Sequence, residues 1–203
     1  QMMIEHGSAV VRSTTKAFVT VDMPSGTYEC KKEDAFKNAH KIMSKTGCQA
    51  VKMEGGIEIA ETINFLSERG IPVISHVGLM PQKINTYGSF SYQGKNSTEA
   101  KKILNDAKSL SDAGAISLVL EAIPESLGKK ITKSINIPTI GIGGGRYCDG
   151  QILVLHDVLG LYDDFKPKFT KNYTNLKEII DQAISKYAKE VRAKEFPEKK
   201  HSY

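Results

Sequence analysis

The stretch "AVKMEGGIEIAETINFLSERGIPVISH", residues 50–76, decides the fold. It opens on an apolar run, AVKME (50–54), passes two glycines, and then sets Ile59, Ile63 and Leu66 on one face of a helix. Gly70 ends that helix just ahead of Pro72, and a second β-branched run, PVISH (72–76), follows. Strand, helix, strand in this order predicts a parallel sheet. The same alternation extends in both directions: runs at 17–22, 116–121, 138–143 and 151–157 read as further strands. Between them, Ala35/Phe36, Ala39 and Ile42/Met43 share one helical face, as do Ile103, Ala107 and Leu110, then Leu127, Ile131 and Ile135. Gly47 and Gly114 stand where C-terminal caps would. The strands are nearly continuous in apolar residues, which predicts a sheet buried on both faces. The fold class is therefore α/β.

Composition narrows what such a chain can do. Of 203 residues 40% are hydrophobic and 25% charged, ordinary for a globular protein, and no apolar run approaches the roughly 20 residues that span a bilayer. The net charge of +5 could suggest nucleic acid, but its location argues otherwise. Of the 28 basic residues ten, and of the 23 acidic residues five, lie in 166–203, which leaves 18 of each before it. The excess belongs to a solvated tail without a stacking platform of aromatics, so no nucleic-acid partner is expected. Cys30, Cys48 and Cys148 are odd in number and show no metal-ligand spacing, which fits free thiols in a reducing cytoplasm. A last helix, about Asn175 to Lys194, aligns Leu176, Ile179, Ala183, Ile184, Tyr187 and Val191 and is expected to pack on that side. The opening, "QMMIEHGSAVVRST", reads as the middle of a helix, so the true N-terminus is expected upstream. No linker divides the chain, and residues 1–203 read as a single domain.

The polar residues fall at telling places. Asp22, Glu54, His76, Glu121 and the glycines of "GIGGG" (141–145) each end a predicted strand. In a β/α barrel those ends converge on one mouth, where active sites form. Lys52 and Glu54 are two apart on one strand, so both leave it on the same face, with Val51 and Met53 on the other. Burying the two charges is costly unless they meet partners or a metal. Asp22 with Glu54 is a minimal hard-oxygen set for Mg2+, and Lys52 would then face an anionic ligand. Singly, each residue has a plainer use: Asp22 as a cap or turn former, His76 as a structural histidine, Lys52 with Glu54 as an ion pair, and GIGGG as a tight turn. The repetition on successive strands is what those uses leave unexplained.

These segments carry a family resemblance. "VKMEGG" (51–56), "HVGLMPQ" (76–82), "INTYGSFSYQGK" (84–95), "LVLEAIP" (118–124), "GIGGG" with "CDGQILVLHDVLG" (148–160), and the tail from "PKFTKNY" to "EFPEKKHSY" together resemble the ketopantoate hydroxymethyltransferase family, also called 3-methyl-2-oxobutanoate hydroxymethyltransferases. The likeness runs in order from about residue 2 to the end. It implies a (β/α)8 TIM barrel of the phosphoenolpyruvate/pyruvate type. It also implies transfer of a one-carbon unit from 5,10-methylenetetrahydrofolate to the 2-oxo acid 3-methyl-2-oxobutanoate, with Mg2+ bound, in pantothenate biosynthesis. Residue by residue, Asp22 and Glu54 match the acids at the metal, Asp22 and Lys52 match contacts to the oxo acid, His76 matches a pocket histidine, and Glu121 matches the proton acceptor. Family members are cytoplasmic homo-oligomers, commonly decamers. The chain departs from the pattern at its front: the family has two further strands before "FVTVD", the second ending in a Gly-Asp-Ser stretch, so strands three to eight plus the C-terminal helix are expected.

The chemistry these residues would serve can be stated on its own terms. A 2-oxo acid chelates Mg2+ through its ketone and one carboxylate oxygen, which acidifies the neighbouring C3–H. Glu121 suits the base, with Leu118, Leu120 and Ile123 as expected apolar neighbours, and Lys52 with the metal would stabilise the enolate. Two other readings stay open. One is a carbon–carbon lyase of the isocitrate lyase or phosphonopyruvate type, whose loop after this strand usually offers a cysteine or extra acids; "GGIEIAETI" has no cysteine. The other is a noncatalytic barrel remnant.

Overall fold

The computed structural model describes residues 1–162 and 166–203. They form two compact units, Gln1–Ile152 and Leu153–Tyr203.

The first unit is a six-stranded parallel sheet whose strands neighbour one another in chain order. The strands are β1 (Thr20–Asp22), β2 (Ala50–Glu54), β3 (Val73–Gly78), β4 (Ser117–Glu121), β5 (Thr139–Ile142) and β6 (Gly150–Gln151). Helix α1 (Met2–Ser13) precedes β1. Helices α2 (Lys32–Thr46) and α3 (Ala60–Ser67) link β1 to β2 and β2 to β3, α4 (Ile84–Tyr87) and α5 (Ser97–Asp112) lie between β3 and β4, and α6 (Glu125–Thr132) joins β4 to β5. This is an open portion of a TIM barrel, as the strand–helix alternation predicts.

Sequence period places the core. Val51, Met53, Val73, Leu118 and Leu120 point to the outer face of the sheet, where they meet Ala39, Ile63, Leu66, Ala107, Leu110 and Ile131 of the helices. Each fully buried Leu, Ile or Val contributes about 1.5–3 kcal/mol relative to exposure. Gly47 closes α2 in the left-handed region at φ 77°, and the Asn96 side chain accepts from Glu99 N to start α5.

The inner face differs from expectation. Instead of being sealed, it borders an open trough of about 680 Å3 lined by residues such as Phe18, Thr20, Ile74, Val119, Ile140 and Ile152. The cause is geometric: no strand among the described residues faces this concave surface. Alternation also corrects the expected surroundings of Glu121. Leu118 and Leu120 are on the opposite face, so Val119, Ile142 and His76 are its neighbours on the inner one.

Two segments fold otherwise than their pattern suggests. The run 151–157 is strand only through Gln151; after Ile152 N bonds Gly141 O, the chain leaves the sheet. In the second unit it forms α7 (Leu155–Leu159), closed by Gly160 at φ 63°. Leu155, Val158 and Leu159 recur at helical spacing, and a short apolar run cannot be told from a helix by periodicity alone. The last helix, α8 (Leu176–Arg192), forms as expected, but its apolar stripe of Ile179, Ile180, Ile184, Tyr187 and Val191 is exposed rather than packed. The second unit is too small to cover such a stripe from its own residues.

Candidate active site

Register builds the site from neighbouring strand ends. Asp22 pairs with Lys52 across β1 and β2, Glu54 with His76 across β2 and β3, and Gly78 with Glu121 across β3 and β4. In a parallel sheet, paired residues share a face. All five predicted polar side chains therefore stand together at the C-terminal ends of β1 to β4, on the inner surface. The expected convergence is present.

Lys52 is the hub. Its Nζ lies 3.3 Å from Asp22 Oδ2, 3.6 Å from Glu54 Oε1 and 3.3 Å from His76 Nδ1. One ammonium flanked by two carboxylates answers why opposite charges sit in an apolar strand: they neutralise one another and reach the mouth. The exposures differ sharply, with the Glu54 side chain 5% exposed and Asp22 47%. Glu54 is an internal anchor, whereas Asp22 reaches solvent and any arriving ligand.

His76 extends the chain of contacts. Its Nδ1 is 3.8 Å from Glu54 Oε1, and its Nε2 is 3.2 Å from Glu121 Oε2. The second contact is off line for a hydrogen bond. Because the Lys52 ammonium has only donors, Nδ1 is the accepting nitrogen, and the neutral ring carries its proton on Nε2, toward Glu121.

Two contributors escaped the sequence reading. Tyr28, in the β1–α2 connection, is buried, and its hydroxyl accepts from Glu54 N at 3.1 Å and faces Gln82 Oε1 at 2.8 Å. Burial pushes the phenol up, so it stays a protonated donor. Gln82, in a 3-10 turn at Pro81–Lys83, donates its backbone N–H to Glu54 Oε2 at 3.0 Å. Gln82 lies inside the motif "HVGLMPQ", but a lone glutamine carries no charge signal, and Tyr28 sits in a loop without periodicity.

Backbone geometry at Glu121 is equally specific. Gly78 adopts φ 98°, and a Cβ there would run into the Glu121 carbonyl oxygen and Ile123. The residue after Glu121, Ala122, holds φ 46°, unusual for a non-glycine and a mark of constraint at a functional strand end. The GIGGG segment makes a turn, with Gly143 and Gly145 at positive φ and Gly144 close against Gly128 of α6.

The donor chemistry suits a hard cation. Among the described residues no three or more His, Cys, Asp or Glu side chains form a ready-made metal cage. Asp22 and Glu54 nevertheless converge on one point, since a single ammonium touches both. Two carboxylates are the hard oxygen donors that Mg2+ takes, the rest of its ligands then coming from water and substrate.

Comparison with known proteins adds an independent line. The model of the family described as "Ketopantoate hydroxymethyltransferase" matches residues 1–199. A protein named 3-methyl-2-oxobutanoate hydroxymethyltransferase from Paracoccus denitrificans (strain Pd 1222) is 54% identical over all of this chain and 74% of its own length. Its namesakes from Paramagnetospirillum magneticum and Brucella canis are 51% and 52% identical, each again over 100% of this chain and 74% of the relative. Two solved structures from Burkholderia cenocepacia J2315 share the fold at 15% and 14% identity. One, provisionally described as a phosphonomutase, has a TM-score of 0.57 over 95% of this chain and 75% of its own; the other, provisionally a lyase/mutase, has 0.52 over 94% and 67%.

Proposed function

The chain belongs to the ketopantoate hydroxymethyltransferase family, a family of enzymes, and from that premise we propose that it transfers a hydroxymethyl group from 5,10-methylenetetrahydrofolate to 3-methyl-2-oxobutanoate, giving 2-dehydropantoate for pantothenate biosynthesis. The observation that carries this reading is the convergence of Asp22, Lys52, Glu54, His76 and Glu121 on one face at adjoining strand ends.

Each side chain has a role its position suits. Lys52, on the same face as the other site residues, would meet the negative charge that develops on the ketone oxygen. Glu121, on the inner face beside Val119 and Ile142, takes the C3 proton. His76, whose Nε2 lies 3.2 Å from that carboxylate, would steady it by turning its N–H into line as substrate binds. The C3–H bond breaks, a C3–CH2 bond forms, and one water supplies the hydroxyl oxygen as the carbon leaves the folate. Asp22 and Glu54 would hold Mg2+, which supplies Lewis acidity toward the 2-oxo acid when bound. The same reading carries with it one barrel domain over residues 1–203 and a homo-oligomer, decameric as is common in the family, working in the cytoplasm.

The test is direct. Purified full-length protein, incubated with 3-methyl-2-oxobutanoate, 5,10-methylenetetrahydrofolate and Mg2+, should form 2-dehydropantoate detectable by mass spectrometry. No product under any metal condition sinks the reading.

A further inference from the structure

Gln82 reaches three parts of the site at once. Its backbone N–H donates to Glu54 Oε2 at 3.0 Å, its side-chain Nε2 donates to Met23 O at 2.9 Å, and its Oε1 faces the Tyr28 hydroxyl at 2.8 Å. Met23 directly follows Asp22, and its own N–H bonds Lys52 O at 2.9 Å. The Tyr28 hydroxyl in turn accepts from Glu54 N. One residue of the β3–α4 connection thus fastens the ends of β1 and β2, the two strands that carry Asp22, Lys52 and Glu54.

The consequence is an asymmetric carboxylate. Glu54 Oε2 is taken by the Gln82 N–H, which leaves Oε1 to face Lys52 at 3.6 Å and His76 at 3.8 Å. A nearly fully buried carboxylate free to rotate would present either oxygen; this one presents Oε1. The strap is itself anchored, because Lys83 Nζ lies 2.6 Å from Glu58 Oε1 in the turn that follows β2.

We propose that Gln82, acting with the Tyr28 hydroxyl, is a positioning residue that fixes the orientation of Glu54 and its spacing from Asp22, and so sets the geometry in which the oxo acid is activated. This rests on the functional reading above. Residues that orient a binding carboxylate typically cost 10- to 100-fold in activity when lost. Among the described residues Gln82 is hydrogen-bonded to Glu54, Met23 and Tyr28 and to neither Lys52 nor Glu121, so its effect would pass through Glu54 and the β1 end.

The experiment uses Gln82→Met, which keeps most of the volume and removes both polar atoms, and Tyr28→Phe, singly and combined in the full-length protein. Exchange of the C3 proton of 3-methyl-2-oxobutanoate in heavy water is followed by proton NMR, without folate. We expect each single variant to lower the rate at saturating oxo acid about 10- to 100-fold with little change in KM. The double variant should be no worse than the worse single one, since both cut one network. In metal-free protein, amide exchange at position 82 should speed up in Gln82→Met, because losing the side-chain bonds to Met23 O and the Tyr28 hydroxyl loosens the turn that holds this N–H against Glu54 Oε2. Wild-type rates in Gln82→Met, or additive losses that track a falling Tm, overturn the positioning role while leaving the enzyme assignment intact. A wild-type protein that exchanges no C3 proton overturns the functional reading and this inference with it.

Discussion

His76 Nε2 lies 3.2 Å from Glu121 Oε2, while Nδ1 of the same ring lies 3.3 Å from Lys52 Nζ. The imidazole therefore connects the cation that would receive substrate charge to the carboxylate that would take the proton. With the Lys52 ammonium as donor at one end, the ring carries its N–H at the other, close to Glu121 but off line for a hydrogen bond. Losing either end changes what the other meets.

Glu121→Gln should abolish the base while nearly preserving shape. Deuterium exchange at C3 of 3-methyl-2-oxobutanoate is expected to slow by about 10²- to 10⁴-fold, the usual range for a general acid–base group. Oxo-acid binding should persist, which titration calorimetry can check. If the variant exchanges as fast as wild type, His76 becomes the leading candidate for the base.

Lys52→Met keeps an apolar stem but leaves Asp22 and Glu54 without the cation they share. Both a higher KM and a lower kcat are expected if, as proposed, the same charge meets the substrate and the developing enolate. Wild-type steady-state kinetics would reduce the lysine to a structural ion-pair partner.

Asp22→Asn probes the proposed Mg2+ site at its solvent end. The side chain is 47% exposed and contributes little packing, so folding should survive. Mg2+ affinity in the presence of oxo acid should fall about 10- to 100-fold by calorimetry, in line with losses around metal ligands. Unchanged affinity removes Asp22 from the proposed metal set.

Much of this site is legible in the sequence because barrel geometry is periodic. Asp22, Lys52, Glu54, His76 and Glu121 all declare themselves as polar residues near the ends of apolar runs, and period two settles that Lys52 and Glu54 share a face. What periodicity cannot convey is who neighbours whom across loops. Tyr28 and Gln82 are brought to Glu54 by connections whose path depends on tertiary packing, and Leu118 and Leu120 are near Glu121 in sequence only. The end of β6 was illegible for a different reason. A segment such as 152–159 satisfies strand and helix patterns alike, and the local sequence does not choose.

Gly78→Ala tests the backbone contact that seats Glu121. The new Cβ would meet the Glu121 carbonyl oxygen, and alanine at φ 98° is strained whatever the space. Destabilisation of at least about 1–3 kcal/mol is expected, read as a lower midpoint in chemical denaturation. Any folded fraction should also lose C3 exchange, because Leu79 N bonds the same carbonyl and a shift there would move the proposed base. Stability and exchange both at wild-type levels would show that the close approach relaxes freely.

Acid titration offers a last test, on the strap that carries Gln82. Burial of Glu58 raises its carboxyl, but the Lys83 hydrogen bond and neighbouring backbone donors outweigh that and hold it down at about 2, against an ordinary 4.5. A depressed folded pKa means that the unfolded chain binds the proton more readily. The pair therefore stabilises the fold fully above about 4.5 and loses that contribution as pH falls toward about 2. The Glu58 side chain is 48% exposed, so screening keeps the effect small at ordinary salt. Glu58→Gln removes the titrating group. The stability gap between wild type and variant should be largest near neutral pH, should narrow between pH 4.5 and 3, and should shrink at high salt. Chemical denaturation at pH 7, 4 and 3, in low and high salt, measures that gap. A gap constant across this range would mean that Glu58 contributes by packing alone, and that the Lys83 contact does not anchor the turn bearing Gln82.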